Sequence, residues 1–237
     1  MVFSGDVEAE VIRSPSKSYD VLQPLTIPLW GFRDPVNALT HLIGSAVALL
    51  LGVILLAHHP SWEIGVFIFG ITAMLATSGI YHTVKKSAQR IFLWRRLDHM
   101  CIYLLIAATY TPFCLIALPN NTGYAILITA WILLLLGWVQ KLVWMSAPNW
   151  FNLIIYLGMG WMAVLLMPEL YHAHGPEMII GIATGGVFYT VGAVVYGLKK
   201  PNFFPGYFGF HELWHLFVLG GAFSHYHTIY KTLVPLL

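Results

Sequence analysis

Thr122-Gly-Tyr-Ala-Ile-Leu-Ile-Thr-Ala-Trp131-Ile-Leu-Leu-Leu-Leu-Gly137-Trp-Val-Gln-Lys141-Leu-Val-Trp144 carries a single charge, close to its end. At about 1.5 Å rise per residue, a helix of about 20 such residues crosses the roughly 30 Å hydrocarbon layer of a bilayer. Six further stretches share this character, so that seven candidate spans run at approximately 37–57, 62–83, 98–118, 122–144, 152–170, 178–198 and 209–230. The whole chain of 237 residues is 58% hydrophobic and 9% charged, with a mean hydropathy of +0.74. A soluble domain carries about 25% charged residues. No water-facing surface can be assembled from what is left, so lipid must solvate most of the fold. The expected fold is an all-α, multi-pass seven-transmembrane helix bundle over 34–237, preceded by a short polar segment, 1–33. That segment holds Asp6, Glu8, Glu10, Arg13, Lys17 and Asp20 and lacks the pattern of a secretory signal.

Loop charges orient the bundle. Lys85, Lys86, Arg90, Arg95 and Arg96 follow the second stretch, Lys141 ends the fourth, and Lys199 and Lys200 end the sixth. Loops 58–61, 119–121 and 171–177 hold no lysine or arginine, and Lys231 alone is basic on their side. The positive-inside rule then places the N-terminus in the cytoplasm and the C-terminus outside. A net charge of +2, gathered in these loops, gives no reason to expect nucleic acid as a partner. Cys101 and Cys114 share one stretch and would stand about 20 Å apart on a helix, too far for a disulfide. Pro112 and Pro168 should kink or end the third and fifth helices.

Ionisable residues inside a span are costly and are functional candidates by default. The topology brings His82, at the end of the second span, to the same depth as Asp98, His211 and His215 at the starts of the third and seventh. His211 and His215 are four apart, so both imidazoles lie on one helix face, the spacing by which two histidines share a metal. His82 as a third ligand would leave a fourth position for water, the arrangement of a catalytic zinc. Asp98 is placed to hold or deprotonate that water, and Ser78, one turn before His82, can reach the same cavity. Cys101, one turn from Asp98, reads as core packing more than as a ligand. His58, His59, His172, His174, His225 and His227 are expected at the outer boundary, and His41 and His99 as structural.

His211-Glu-Leu-Trp-His215 matches the HExxH pattern of zinc proteases. No Asp or Glu follows Glu212, so the third ligand has to come from upstream, and the base is expected to be Asp98 and not Glu212.

Three segments then point to a family: Ser78-Gly-Ile-Tyr-His82-Thr, Leu97-Asp98-His-Met-Cys-Ile-Tyr103 running on to Pro112, and His211-Glu-Leu-Trp-His215-Leu-Phe. With Asn37-Ala-Leu-Thr-His41-Leu-Ile-Gly44, they resemble the haemolysin III and progestin/adipoQ receptor family, over about Pro35 to His227. The resemblance implies zinc on His82, His211 and His215, Asp98 contacting it through water, and Ser78 beside it. It also implies kinship with membrane hydrolases that include ceramidases. The function expected is a zinc-dependent hydrolase acting on a lipid amide and linked to membrane lipid homeostasis. Membrane lipids, ceramide or free fatty acid are the expected partners. A non-catalytic receptor or membrane-fluidity regulator with structural zinc is one alternative. A haemolysin-type permeabilising protein is another, although no span carries the polar stripe of a conduction path.

Overall fold

The computed structural model describes residues 25–85 and 87–237, and Lys86 and the charged residues of 1–24 lie outside the described residues. Among the described residues there are eight α-helices: α1 (Pro35–His58), α2 (Trp62–Thr83), α3 (Ala88–Pro112), α4 (Asn121–Val143), α5 (Asn149–Trp161), α6 (Met167–His174), α7 (Pro176–Leu198) and α8 (Phe210–Thr228). Their starts have local causes. Ser61 Oγ accepts from Ile64 N at 3.2 Å and Asn120 Oδ1 from Gly123 N at 3.0 Å, each satisfying a free N–H of a first turn. Pro35, Pro168 and Pro176 occupy first-turn positions, where a missing N–H costs nothing.

Helices α1, α2, α4, α7 and α3 with its following turn are each long and apolar enough to cross a membrane. Helices α5 and α6 make a further crossing with a 44° bend. Helix α8, 19 residues long, is the seventh long segment, and Glu212 and its four histidines leave it less apolar than those six crossings. The protein is an all-helical, multi-pass membrane protein.

Three boundaries differ from the sequence expectation. Helix α3 begins at Ala88 and not near 98, because Ser87 Oγ accepts from Arg90 N at 3.4 Å and starts the helix early. Arg90, Arg95 and Arg96 therefore lie on its first turns and not in a loop, and Asp98 is in its third turn. The expected helix over 152–170 is broken. After α5 comes a 3-10 turn, Met162–Leu165, and then α6 with Pro168 in its first turn. A continuous helix would drive the Pro168 ring into the carbonyl of Val164. The expected loop 171–177 is reduced to Gly175, whose φ of +78° is a conformation side chains disfavour. Pro112 ends the α-helical part of α3, and a π-helical turn, Phe113–Ala117, closes it with Leu118 N donating to Phe113 O at 3.1 Å.

Helix α1 packs on α2, α2 on α3, and α7 on α8; α8 closes back on α1, and α5 joins α7 to α3. Helix α4 stands outside this ring against α3. Only 22% of its apolar window is buried in the protein, against 61% for α3 and 56% for α2, so α4 faces lipid and α2 and α3 form the interior. Without a hydrophobic drive between helices in lipid, close approach depends on small residues. Gly70 of α2 lies against Ala108 and the Leu104 carbonyl of α3, and Gly79 lies against Leu42 of α1.

Gly70→Leu should therefore drive a side chain into the α3 backbone and shift the detergent-solubilised protein toward aggregate. Gly158→Leu, at a position with open space around it, should leave the profile unchanged. Size-exclusion profiles with thermal melts compare the two; similar behaviour would contradict the packing described.

Candidate metal centre

The segment before α1 is folded onto the end of α2. The His82 carbonyl accepts from Arg33 N at 3.2 Å and from Asp34 N at 3.0 Å. In return His82 Nδ1 donates to Asp34 Oδ2 at 2.9 Å. The same oxygen accepts from Arg33 Nε at 3.0 Å, while Oδ1 accepts from the backbone N–H groups of Leu25 and Thr26. Asp34 is fully buried and His82 is 1% exposed. Burial alone would raise the Asp34 pKa, but the hydrogen bond from His82 and the adjacent Arg33 guanidinium outweigh it and hold it at about 2. An imidazole whose Nδ1–H is engaged in this way keeps the lone pair on Nε2 for a metal. The polar segment expected over 1–33 is thus, from Leu25 onward, part of the site.

His211 and His215 stand one turn apart at the start of α8. Their ring centres are 5.1 Å apart, and they lie 5.2 and 4.8 Å from that of His82. One ligand atom from each of the three comes within 4.8 Å of the other two, a group that can hold one metal ion. His41 of α1 stacks on His215, ring centres 3.8 Å apart and 22° from parallel, which fixes the plane of that ligand. Glu212 points away from the group. Its Oε2 accepts from Gly209 N and its Oε1 from Asn37 Nδ2, both at 2.7 Å, so it caps α8 and ties it to α1. Each carboxylate oxygen is thus held by a structural donor, and Glu212 does not join the three-histidine group.

Ser78, Asp98 and the three histidines line one cavity of about 460 Å³. Asp98 does not join the three-histidine group, and neither does Cys101. The Asp98 Oδ2 lies 3.2 Å from His99 Nδ1 without the alignment of a hydrogen bond. Beyond this polar end the cavity follows the ring lengthwise, walled by Ile102, Leu105, Leu157, Val187 and Val218. His225, expected at the outer boundary, instead lies buried on the cavity wall because Gly185 of α7 leaves room for its ring. His174 ends α6 and donates from Nε2 to Ala117 O at 2.7 Å, a packing role.

Sequence reasoning missed Asp34, Arg33 and the Asn37–Glu212 bond. One signal was available: Asp34 directly precedes Pro35 at a helix start, on the same side of the membrane as His82. The partner of Asp34 was not readable, since the carboxylate does not cap its own helix.

Comparison with known proteins places this geometry. The family model described as haemolysin-III related matches residues 30–226. A hemolysin-3 homolog of Bacillus subtilis is 34% identical over 210 residues, covering 85% of this chain and 95% of that protein. The human monocyte to macrophage differentiation factor is 27% identical over 213 residues, covering 85% of each chain. A rice protein named heptahelical transmembrane protein ADIPOR3 is 26% identical over 196 residues, 71% of this chain and 46% of that one.

Metal content and affinity of the purified protein test the centre. His211→Ala and His215→Ala should abolish stoichiometric binding, and Asp34→Asn should weaken it about 10–100-fold by freeing the His82 ring. Cys101→Ser should change nothing. Full affinity in Asp34→Asn would show that the carboxylate does not orient the ligand.

Proposed function

The chain belongs to the haemolysin-III related family, and from that premise we propose that it is a zinc-dependent integral membrane hydrolase acting on a lipid amide such as ceramide. The observation that carries the reading is the opening of a three-histidine group onto a long apolar cavity inside a membrane bundle. A cavity of about 460 Å³ is within the roughly 300–1,000 Å³ of small-molecule sites. A lipid entering from the bilayer brings its acyl chain to those walls.

The donor set fits zinc: three neutral imidazoles, one anchored by a buried carboxylate, in a water-poor site. Bound there, zinc would supply Lewis acidity, polarising a carbonyl and making water acidic. The chain's own residues do the rest. Asp98, on the same cavity wall but outside the ligand group, accepts the proton released by water and passes it to the leaving amine. The Ser78 hydroxyl, on the same cavity wall as Asp98, donates to the carbonyl oxygen as charge develops there. The apolar walls orient the acyl chain and exclude bulk water.

A receptor or regulator with purely structural zinc would call for a fourth protein ligand. Among the described residues no further His, Cys, Asp or Glu completes the group, which favours the catalytic reading.

Two measurements decide between them: zinc content and release of fatty acid from ceramide by the purified protein. His211→Ala should lose both, whereas Asp98→Asn should keep zinc and lose turnover by about 100-fold or more. Zinc without hydrolysis of any lipid amide would refute the enzyme. Glu212→Gln should lower the melting temperature and leave turnover per folded molecule unchanged; loss of turnover with intact folding would return the role of base to Glu212.

A further inference from the structure

The cavity ends, away from the histidine group, in a second polar pair. His225 of α8 is 9% exposed, and its Nε2 donates to the Ile182 carbonyl at 3.3 Å. That bond fixes the tautomer, so Nδ1 carries a lone pair, and Nδ1 is buried without a partner. Tyr189 of α7 has its ring centre 5.7 Å from that of His225, and its buried hydroxyl is also without a partner. Both side chains line the cavity. Glycines hold them there: Gly185 lies against the His225 ring and Gly221 against the phenol end of Tyr189. A buried polar atom left unpaired is costly, so two on one apolar wall ask for a ligand that satisfies both.

We propose that His225 and Tyr189 form a distal subsite that recognises a hydroxyl group on the acyl chain of the lipid. One partner offers only an acceptor and the other a phenolic hydroxyl free to donate. A hydroxyl is the small group that donates to the first while accepting from the second. A carbonyl would leave His225 Nδ1 without a donor, and an ammonium would leave the Tyr189 O–H without an acceptor. Position also matters. His215 and His225 are ten residues apart on one helix, about 15 Å along its axis, and His211, His215, Val218 and His225 all line the cavity. A chain whose polar head sits at the histidine group therefore presents its middle, and not its first carbons, to the pair. The inference rests on the lipid-substrate reading for the direction in which the chain lies, but hydroxyl recognition needs no catalysis.

The test is displacement of tritiated stearate from the purified protein by unlabelled stearate, by stearate hydroxylated at carbon twelve, and by stearate hydroxylated at carbon two. The mid-chain hydroxyl should lower the displacing concentration about tenfold relative to stearate, and the hydroxyl at carbon two should not. Tyr189→Phe, which keeps the ring, and His225→Leu should each bring the mid-chain preference to about parity. Displacement reads binding and not turnover, so the preference is expected in the parent protein whether or not it hydrolyses any amide, which separates this subsite from the hydrolase reading. If His225→Leu fails to fold, Tyr189→Phe alone decides. Equal displacement by all three lipids in the parent protein, or a preference that survives Tyr189→Phe, would overturn the subsite, leaving the pair to bound water.

Discussion

The hydrogen bond from His82 Nδ1 to Asp34 Oδ2, 2.9 Å long and wholly buried, sets the conditions for everything around it. It fixes the tautomer of one ligand and pins the segment before α1 to the end of α2. It also brings a charge into the protein interior that only works with all its partners in place. Breaking a buried pair of this kind on one side typically costs about 3–5 kcal/mol. The two backbone bonds to the His82 carbonyl make the arrangement a double clamp. The end of α2 is thereby held rigid where a helix end would otherwise fray.

Much of this was legible in the sequence, for identifiable reasons. The apolar stretches report helices because the bilayer leaves no other way to satisfy the backbone. The four-residue spacing of His211 and His215 fixes their common face. Loop charge brought His82 to the same end of the bundle. The sequence hid what depends on backbone outside regular helices, the Asp34 clamp and the early start of α3, whereas Pro168 did announce a break near the end of the fifth span. Glu212 is instructive in another way. Its motif suggests a base, but position three of a helix preceded by Gly209 is also a capping position, and the structure uses it as one.

His225 shows the limit of placing residues by depth alone. Near the outer end of its helix, a histidine reads as a boundary residue. Which face of the helix it occupies decides otherwise, and that face is shared with His211 and His215. The same stripe of α8 thus builds both ends of the cavity, one by convergence with α2 and the other by convergence with α7. Between them, mostly apolar side chains from α3, α5, α7 and α8 line the path.

Helix α8 has a consequence for how the molecule is made. It is among the less apolar of the long helices, it follows the other seven helices in the chain, and it supplies two of the three histidines of the candidate metal group. During synthesis the bundle exists for some time as an open arc, with His82 clamped but alone. Entry of so polar a segment into lipid is unfavourable by itself, and it is helped by a groove between α1 and α7 already lined with small residues. The three-histidine group is therefore completed last. Ribosome-bound chains that stop short of His211 would carry a complete clamp and no metal site.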